Sequence, residues 1–237
     1  MIRTFSLSGS GSHILSQSLS PPIQLKSSLG YSLGLIGFYT VNSIPNIEPG
    51  KNKFYYDKKV LEIPTGSYEI EKIQEYLEKQ LVPKNSKKYI KIEVNNNTLE
   101  TNFSSSFKVD FTKEDSIGSI LGFSTTHPIL EANKVYTSSE THILKVTTIR
   151  VECNITGGSY YNGRPSHTLL EFAPSVPPGF ELDISPSKPD YLPVITDSID
   201  NITITLLDQK GRPVNFRDEE IVIRLKLIEN GFASEML

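Results

Sequence analysis

Along residues 149–172 apolar and polar positions alternate, break off and resume. Ile149, Val151, Cys153 and Ile155 are apolar, whereas Arg150, Glu152 and Asn154 between them are polar. This is the period-two pattern of a strand with one face on a core and the other in water. The chain then passes through Gly157-Gly158-Ser159-Tyr160-Tyr161-Asn162-Gly163, residue types that tolerate positive φ and tight reversal, and a second strand is expected over residues 168–172. The same alternation marks Ile90, Ile92 and Val94, which turn through Asn95-Asn96-Asn97 into a return strand ending at Phe103. It marks Phe107, Val109 and Phe111, then Phe180, Leu182 and Ile184, and finally Ile202, Ile204 and Leu206, which turn at Asp208-Gln209-Lys210-Gly211 and are followed by Ile221, Ile223, Leu225 and Leu227. Phe54-Tyr55-Tyr56 and Val60-Leu61-Glu62-Ile63 flank a lysine-rich turn. Residues 33–39 are almost continuously apolar and read as a strand buried on both faces, which needs cover from another layer or another subunit.

One segment follows the helical period. Ile70, Ile73, Leu77 and Leu81 recur on one face, Glu69 and Glu71 sit in a first turn where the helix dipole favours anions, Ser67 is a candidate N-cap, and Pro83 stops the run. The spacing predicts an α-helix over about residues 67–81 whose apolar face packs on the sheet. Asp115-Ser116 is placed to cap a single turn that ends at Gly122. Residues 1–28 carry almost no charge, are rich in Ser, and contain Pro21-Pro22, which predicts a flexible N-terminal arm. Residues 29–229 are expected to form one domain, and 230–237 a C-terminal tail. Short strands separated by Pro and Gly turns, with one helix inserted, predict an all-β protein: a single jelly-roll β-sandwich of about eight strands.

Composition removes several function classes. With 24 basic and 27 acidic residues the net charge is −3, which argues against a direct nucleic-acid partner. No apolar run reaches membrane-spanning length and no signal-peptide core follows Met1, so the expected product is made intracellularly with no membrane partner. The one cysteine, Cys153, falls on the apolar face of its strand and is expected to be a buried small hydrophobe. Asn96, Asn102, Asn154 and Asn201 stand in Asn-x-Ser/Thr sequons, which without a secretory signal are expected to be coincidental. The histidines at 13, 127, 142 and 167 show no metal-ligand spacing, leaving His142 or His167 as the places where ligands from distant strands would have to converge. No nucleophile elbow, phosphate loop or dinucleotide fingerprint is present. The expectation is therefore no enzyme, no cofactor, no metal and no catalytic residue. The candidate functional residues are Tyr160, Tyr161, Asn162 and Arg164. Tyrosines offer rigid area with a polar tip and arginine adds a planar cation, so the segment reads either as an interface or recognition loop or as a well-packed turn.

Larger blocks carry a resemblance. Leu33-Gly-Leu-Ile-Gly-Phe-Tyr-Thr-Val-Asn-Ser-Ile-Pro-Asn-Ile47, Ile63-Pro-Thr-Gly-Ser-Tyr-Glu-Ile70, Ile120-Leu-Gly-Phe123, Arg150-Val-Glu-Cys-Asn154, Asn162-Gly163 and Pro177-Pro-Gly179 resemble the minor capsid, or penton, proteins of Polinton (Maverick) elements and the related adintoviruses. Ile199-Asp-Asn-Ile-Thr-Ile204 and the Asp208 to Leu225 hairpin are similar to the same group. The resemblance implies a structural virion protein, a single jelly roll that forms homopentamers at icosahedral vertices beside a double-jelly-roll major capsid protein. Length agrees independently, because two jelly rolls need about sixteen principal strands, which at typical strand and turn lengths will not fit in 237 residues. Five-fold contact is heterologous, unlike patches of neighbouring subunits meeting around a ring. The alternative is a monomeric ligand- or glycan-binding jelly-roll module, against which the absence of tryptophan weighs.

Overall fold

The serine-rich N-terminus forms two strands. In a computed structural model, which describes residues 2–26, 29–95, 97–123, 128–138, 141 and 146–230, β1 (Ile2–Gly9) buries Phe5 and Leu7, and β2 (Ile14–Gln24) buries Leu15 and Ile23. β1 pairs antiparallel along its length with β18 (Ile221–Glu229), and β2 pairs with β17 (Ser198–Asp208). The expected flexible arm is thus corrected. Its alternation is that of a strand, and its solvent face is built of hydroxyls instead of charges, which makes the composition look disordered.

The chain divides into two compact units, Met1–Ile44 with Val146–Leu237, and Pro45–Lys145. The first contains, besides the four strands above, β3 (Tyr31–Val41), β11 (Ile149–Cys153), the small hairpin β12 (Ser159–Tyr161) and β13 (Arg164–Ser166), β14 (Thr168–Phe172), and β15 (Glu181–Ile184) with β16 (Tyr191–Pro193). One sheet has the order β1-β18-β3-β15, with β16 also on β3, and the other has the order β14-β11-β17-β2. Counting β15 and β16 as one edge and setting the hairpin aside, first pairs with last, second with second-last, third with third-last, and fourth with fifth. That nesting defines a jelly roll. The apolar faces, including Leu33, Phe38, Ile149, Val151, Cys153, Ile204 and Leu225, share one core.

β3 is buried on both faces, as its sequence predicts, but tyrosines of its own sheet cover the second face. A β-carbon on Gly34 would lie 3.0 Å from the Tyr191 ring, and one on Gly37 would lie 2.6 Å from the Tyr39 hydroxyl. Each glycine is a slot for a ring that neighbours it on the sheet.

The unit Pro45–Lys145, which in chain order separates β3 from β11, has its own core. β4 (Lys53–Tyr56), β5 (Lys59–Glu62), β8 (Val109–Asp110) and β9 (Ile129–Leu130) form a sheet in the order β5-β4-β8-β9. β6 (Ile90–Asn95), β7 (Glu100–Ser105) and β10 (Val135–Thr137) form another in the order β10-β7-β6. Phe54, Phe103, Phe111 and Phe123 meet at ring-centroid separations of 5.8–6.3 Å. The helix α1 (Ile70–Leu81) buries Ile70, Ile73 and Leu77 in this core and packs beside β6. It begins later than expected, because Ser67 does not cap it and Glu69 holds the N-cap position without a side-chain bond. The preceding residues stay extended: Gly66 pairs with Ile47, and the Asn46 side chain accepts from the Tyr68 amide and donates to its carbonyl. The turn at Ile117–Ser119 is capped by Ser116 as predicted. No described helix is long and apolar enough to cross a membrane.

Candidate functional site

The segment between β11 and β14 folds back as the hairpin β12–β13, closed by Asn162 at φ 49° and Gly163 at φ 75°. Both central residues lie in the left-handed region, which an Asn-Gly pair adopts at low cost in a two-residue turn. Alternation within the hairpin then sorts its side chains. Ser159 and Tyr161 turn toward the β14-β11 sheet, and Tyr160 turns away.

The inward side is anchored at Ser159 and Tyr161. The Ser159 hydroxyl donates to the Ser166 carbonyl at 2.7 Å and accepts from the Thr168 amide at 2.9 Å. The Tyr161 hydroxyl donates to the Gln209 carbonyl at 2.7 Å, and its ring lies 3.7 Å from the Arg150 guanidinium carbon. Arg150 is only 5 % exposed, its Nη1 is 3.2 Å from Glu152 Oε1, and its Nε has no hydrogen-bond partner among the described residues. A charge so enclosed is stabilised chiefly by the π face above it and the carboxylate beside it. The alternation read Arg150 as solvent-facing. It does leave the core on the polar side of β11, but the hairpin then closes over it. The legible signal was Arg150-x-Glu152, opposite charges two apart and so on one face of a strand.

The outward side is free of such ties. Tyr160 is 72 % exposed and stands directly across the hairpin from Pro165, which is also exposed. Asn162 and Arg164 are exposed at the turn. The four candidate residues therefore divide: Tyr160 and Arg164 are displayed, Asn162 shapes the turn, and Tyr161 belongs to the scaffold. A rigid tyrosine and an arginine on a pinned hairpin suit contact with a protein surface, where both residue types are enriched in the tightest contacts.

Other candidates resolve into structural roles. Burial pushes the Cys153 thiol up to about 11, which leaves it protonated and unreactive. The sequon residues Asn154 and Asn201 hold the sheet, Asn154 accepting from the Thr203 amide at 2.8 Å and Asn201 donating to Ser16 at 3.0 Å. His167 Nδ1 meets the Thr156 carbonyl, and no group of metal-holding side chains occurs among the described residues. His127 and His142 lie outside those residues. At the turn after β17, burial raises Asp208 but is outweighed by hydrogen bonds from the Arg212 amide and guanidinium and from the Lys210 amide, which hold the carboxyl below its ordinary range.

No protein-family model matches the sequence, and no curated protein matches it. Among solved structures the chain is similar to the penton protein of mavirus, with a TM-score of 0.50 and 10 % identity, over 97 % of this chain and 100 % of the mavirus chain. At that identity the likeness is one of fold, and it spans both proteins.

Proposed function

We propose that the chain is a structural virion protein, the penton subunit that forms homopentamers at icosahedral vertices beside a double-jelly-roll major capsid protein. The observation that carries this reading is the agreement with the mavirus penton fold over 97 % of the chain, reached independently of the sequence blocks that resemble Polinton and adintovirus pentons. The nested strand pairing supplies what a vertex subunit needs: a stiff sandwich with loops at its ends. The hairpin face bearing Tyr160 and Pro165, with Arg164 exposed beside the turn, is the candidate contact with a neighbouring subunit, one side of a head-to-tail interface. The role is one of assembly, not catalysis.

Co-expression with the double-jelly-roll major capsid protein of the same genome, followed by electron microscopy of the particles, tests the reading. Density for this chain at the five-fold vertices is expected. Closed shells with the chain left entirely in the soluble fraction would contradict it.

A further inference from the structure

A second surface lies wholly within the unit Pro45–Lys145. At the tip of the β4–β5 hairpin a cleft of about 670 Å³ is lined by Lys58, Lys59, Lys108 and Lys113, with Val60 on its wall. Val60 is 53 % exposed, an apolar surface in a lysine-lined cleft. The two carboxylates of the cleft keep their charge but are held in place by neutral donors. Asp57 Oδ1 accepts from the Lys108 amide at 3.0 Å, and Asp110 Oδ1 accepts from the Thr112 amide at 2.8 Å and from its hydroxyl at 2.6 Å. Lys108 is paired with Glu131 at 2.6 Å. Lys58, Lys59 and Lys113 make no close ion pair among the described residues, although the Thr112 hydroxyl and, to a lesser extent, the charge of Lys113 lower Asp110, and four lysines against two aspartates leave the lining net positive.

The backbone adds a separate observation. Asp57 at φ 41° and Lys58 at φ 65° make the two-residue turn, and both adopt left-handed conformations that Asn or Gly fills at lower cost. Lysine at the second position is a strained choice that sets an ammonium group on the rim of the cleft, the kind of local cost that collects at binding sites.

The chemistry of the lining narrows the ligand. Residues 45–145 contain lysines and no arginine, and lysine acts as a compact point charge without the planar fork with which arginine clamps a phosphate. The tyrosines of the cleft are not free to stack on bases: Tyr56 packs edge-on to Phe107 at 5.5 Å, and the Tyr55 hydroxyl donates to Asp115 at 2.9 Å. Several lysines and an exposed valine in one cleft fit a ligand with separated anionic groups on an apolar-faced ring. We propose that this cleft binds a sulfated glycan, Lys58, Lys59 and Lys113 engaging sulfate groups and Val60 meeting the apolar face of a sugar ring. The inference goes beyond the penton reading and stands on the lysine unit alone.

Calorimetric titration of the full chain with a defined heparin-derived hexasaccharide tests it, alongside the same hexasaccharide without sulfate and a single-stranded oligonucleotide of equal charge. Saturable binding of the sulfated sugar alone, weakening as salt rises, is expected. The triple variant Lys58→Asn, Lys59→Gln, Lys113→Gln keeps a residue suited to the turn at position 58 and loses affinity about tenfold, the order expected for three partly solvated ion pairs. A control triple, Lys79→Gln, Lys84→Gln, Lys87→Gln, makes the same charge change at exposed positions outside the cleft and leaves affinity within about twofold. Circular dichroism establishes that both variants are folded. No binding to the sulfated sugar, equal binding of the oligonucleotide, or equal loss in both triples would overturn the proposal.

Discussion

Adjacent tyrosines have opposite roles. Tyr160 is displayed, whereas Tyr161 covers a buried guanidinium and ties the hairpin to the Gln209 carbonyl. Tyr160→Ala is therefore expected to leave stability within about 0.5 kcal/mol of the parent, as for an exposed side chain, while weakening self-assembly. Tyr161→Ala uncovers Arg150 and is expected to cost about 2 kcal/mol. Urea unfolding and particle-assembly yield, measured on both variants, separate the two roles. The sequence supports a tyrosine-rich turn but does not sort its members, because that depends on which side of the hairpin meets the sheet. Asp208 makes a second test. Its folded pKa is depressed, so its contribution is present above the unfolded value, near pH 4, and is lost as pH falls through the folded value. Asp208→Asn is expected to cost about 1–2 kcal/mol at neutral pH through the weakened turn bonds, and the gap to the parent closes below about pH 4. Unfolding titrations on either side of that pH measure the gap; one that persists unchanged in acid would remove the charge from the account.

At the scale of elements, strands with charged outer faces were the most legible. β6 and β18 follow their apolar registers, and α1 follows the 3.6-residue period with Ile70, Ile73 and Leu77 buried. β1 and β2 were obscured because Ser supplies their polar positions, and composition weighed more than alternation. The start of α1 was misplaced because Asn46, over twenty positions upstream, holds the Tyr68 backbone in an extended conformation, an interaction no local signal announces. The strand reading of β1 has a direct consequence. Deleting residues 1–9 removes Phe5 and Leu7 from the core and exposes the β18 edge. The two side chains account for about 4 kcal/mol, which corresponds to a fall in Tm on the order of 10 °C for a protein of this size. Scanning calorimetry should show that fall, and an unchanged Tm would restore the arm.

At the scale of the whole molecule, the jelly-roll class follows from strand length and turn spacing, but the number of strands and their nesting do not. Alternation shows which face of a strand is buried, not which strand lies beside it. The partners of β3, for example, are β18 and the β15–β16 edge, more than a hundred residues away. The separate core of residues 45–145 was illegible for a related reason: its strands use the same period as the sandwich, and no Gly-Ser linker brackets them. The hairpin site was legible as a loop and as a set of residue types. Its division into a pinned and a displayed face came only with register.

The penton account makes its strongest commitment in the oligomeric state, and light scattering on the purified chain over a range of concentrations measures it most directly. The account predicts a species near five times the 26.5 kDa chain mass, reached as concentration rises and reduced by Tyr160→Ala. A closed dimer whose mass does not change with concentration would contradict it, because a two-fold self-complementary contact uses up the surface that a five-fold ring requires.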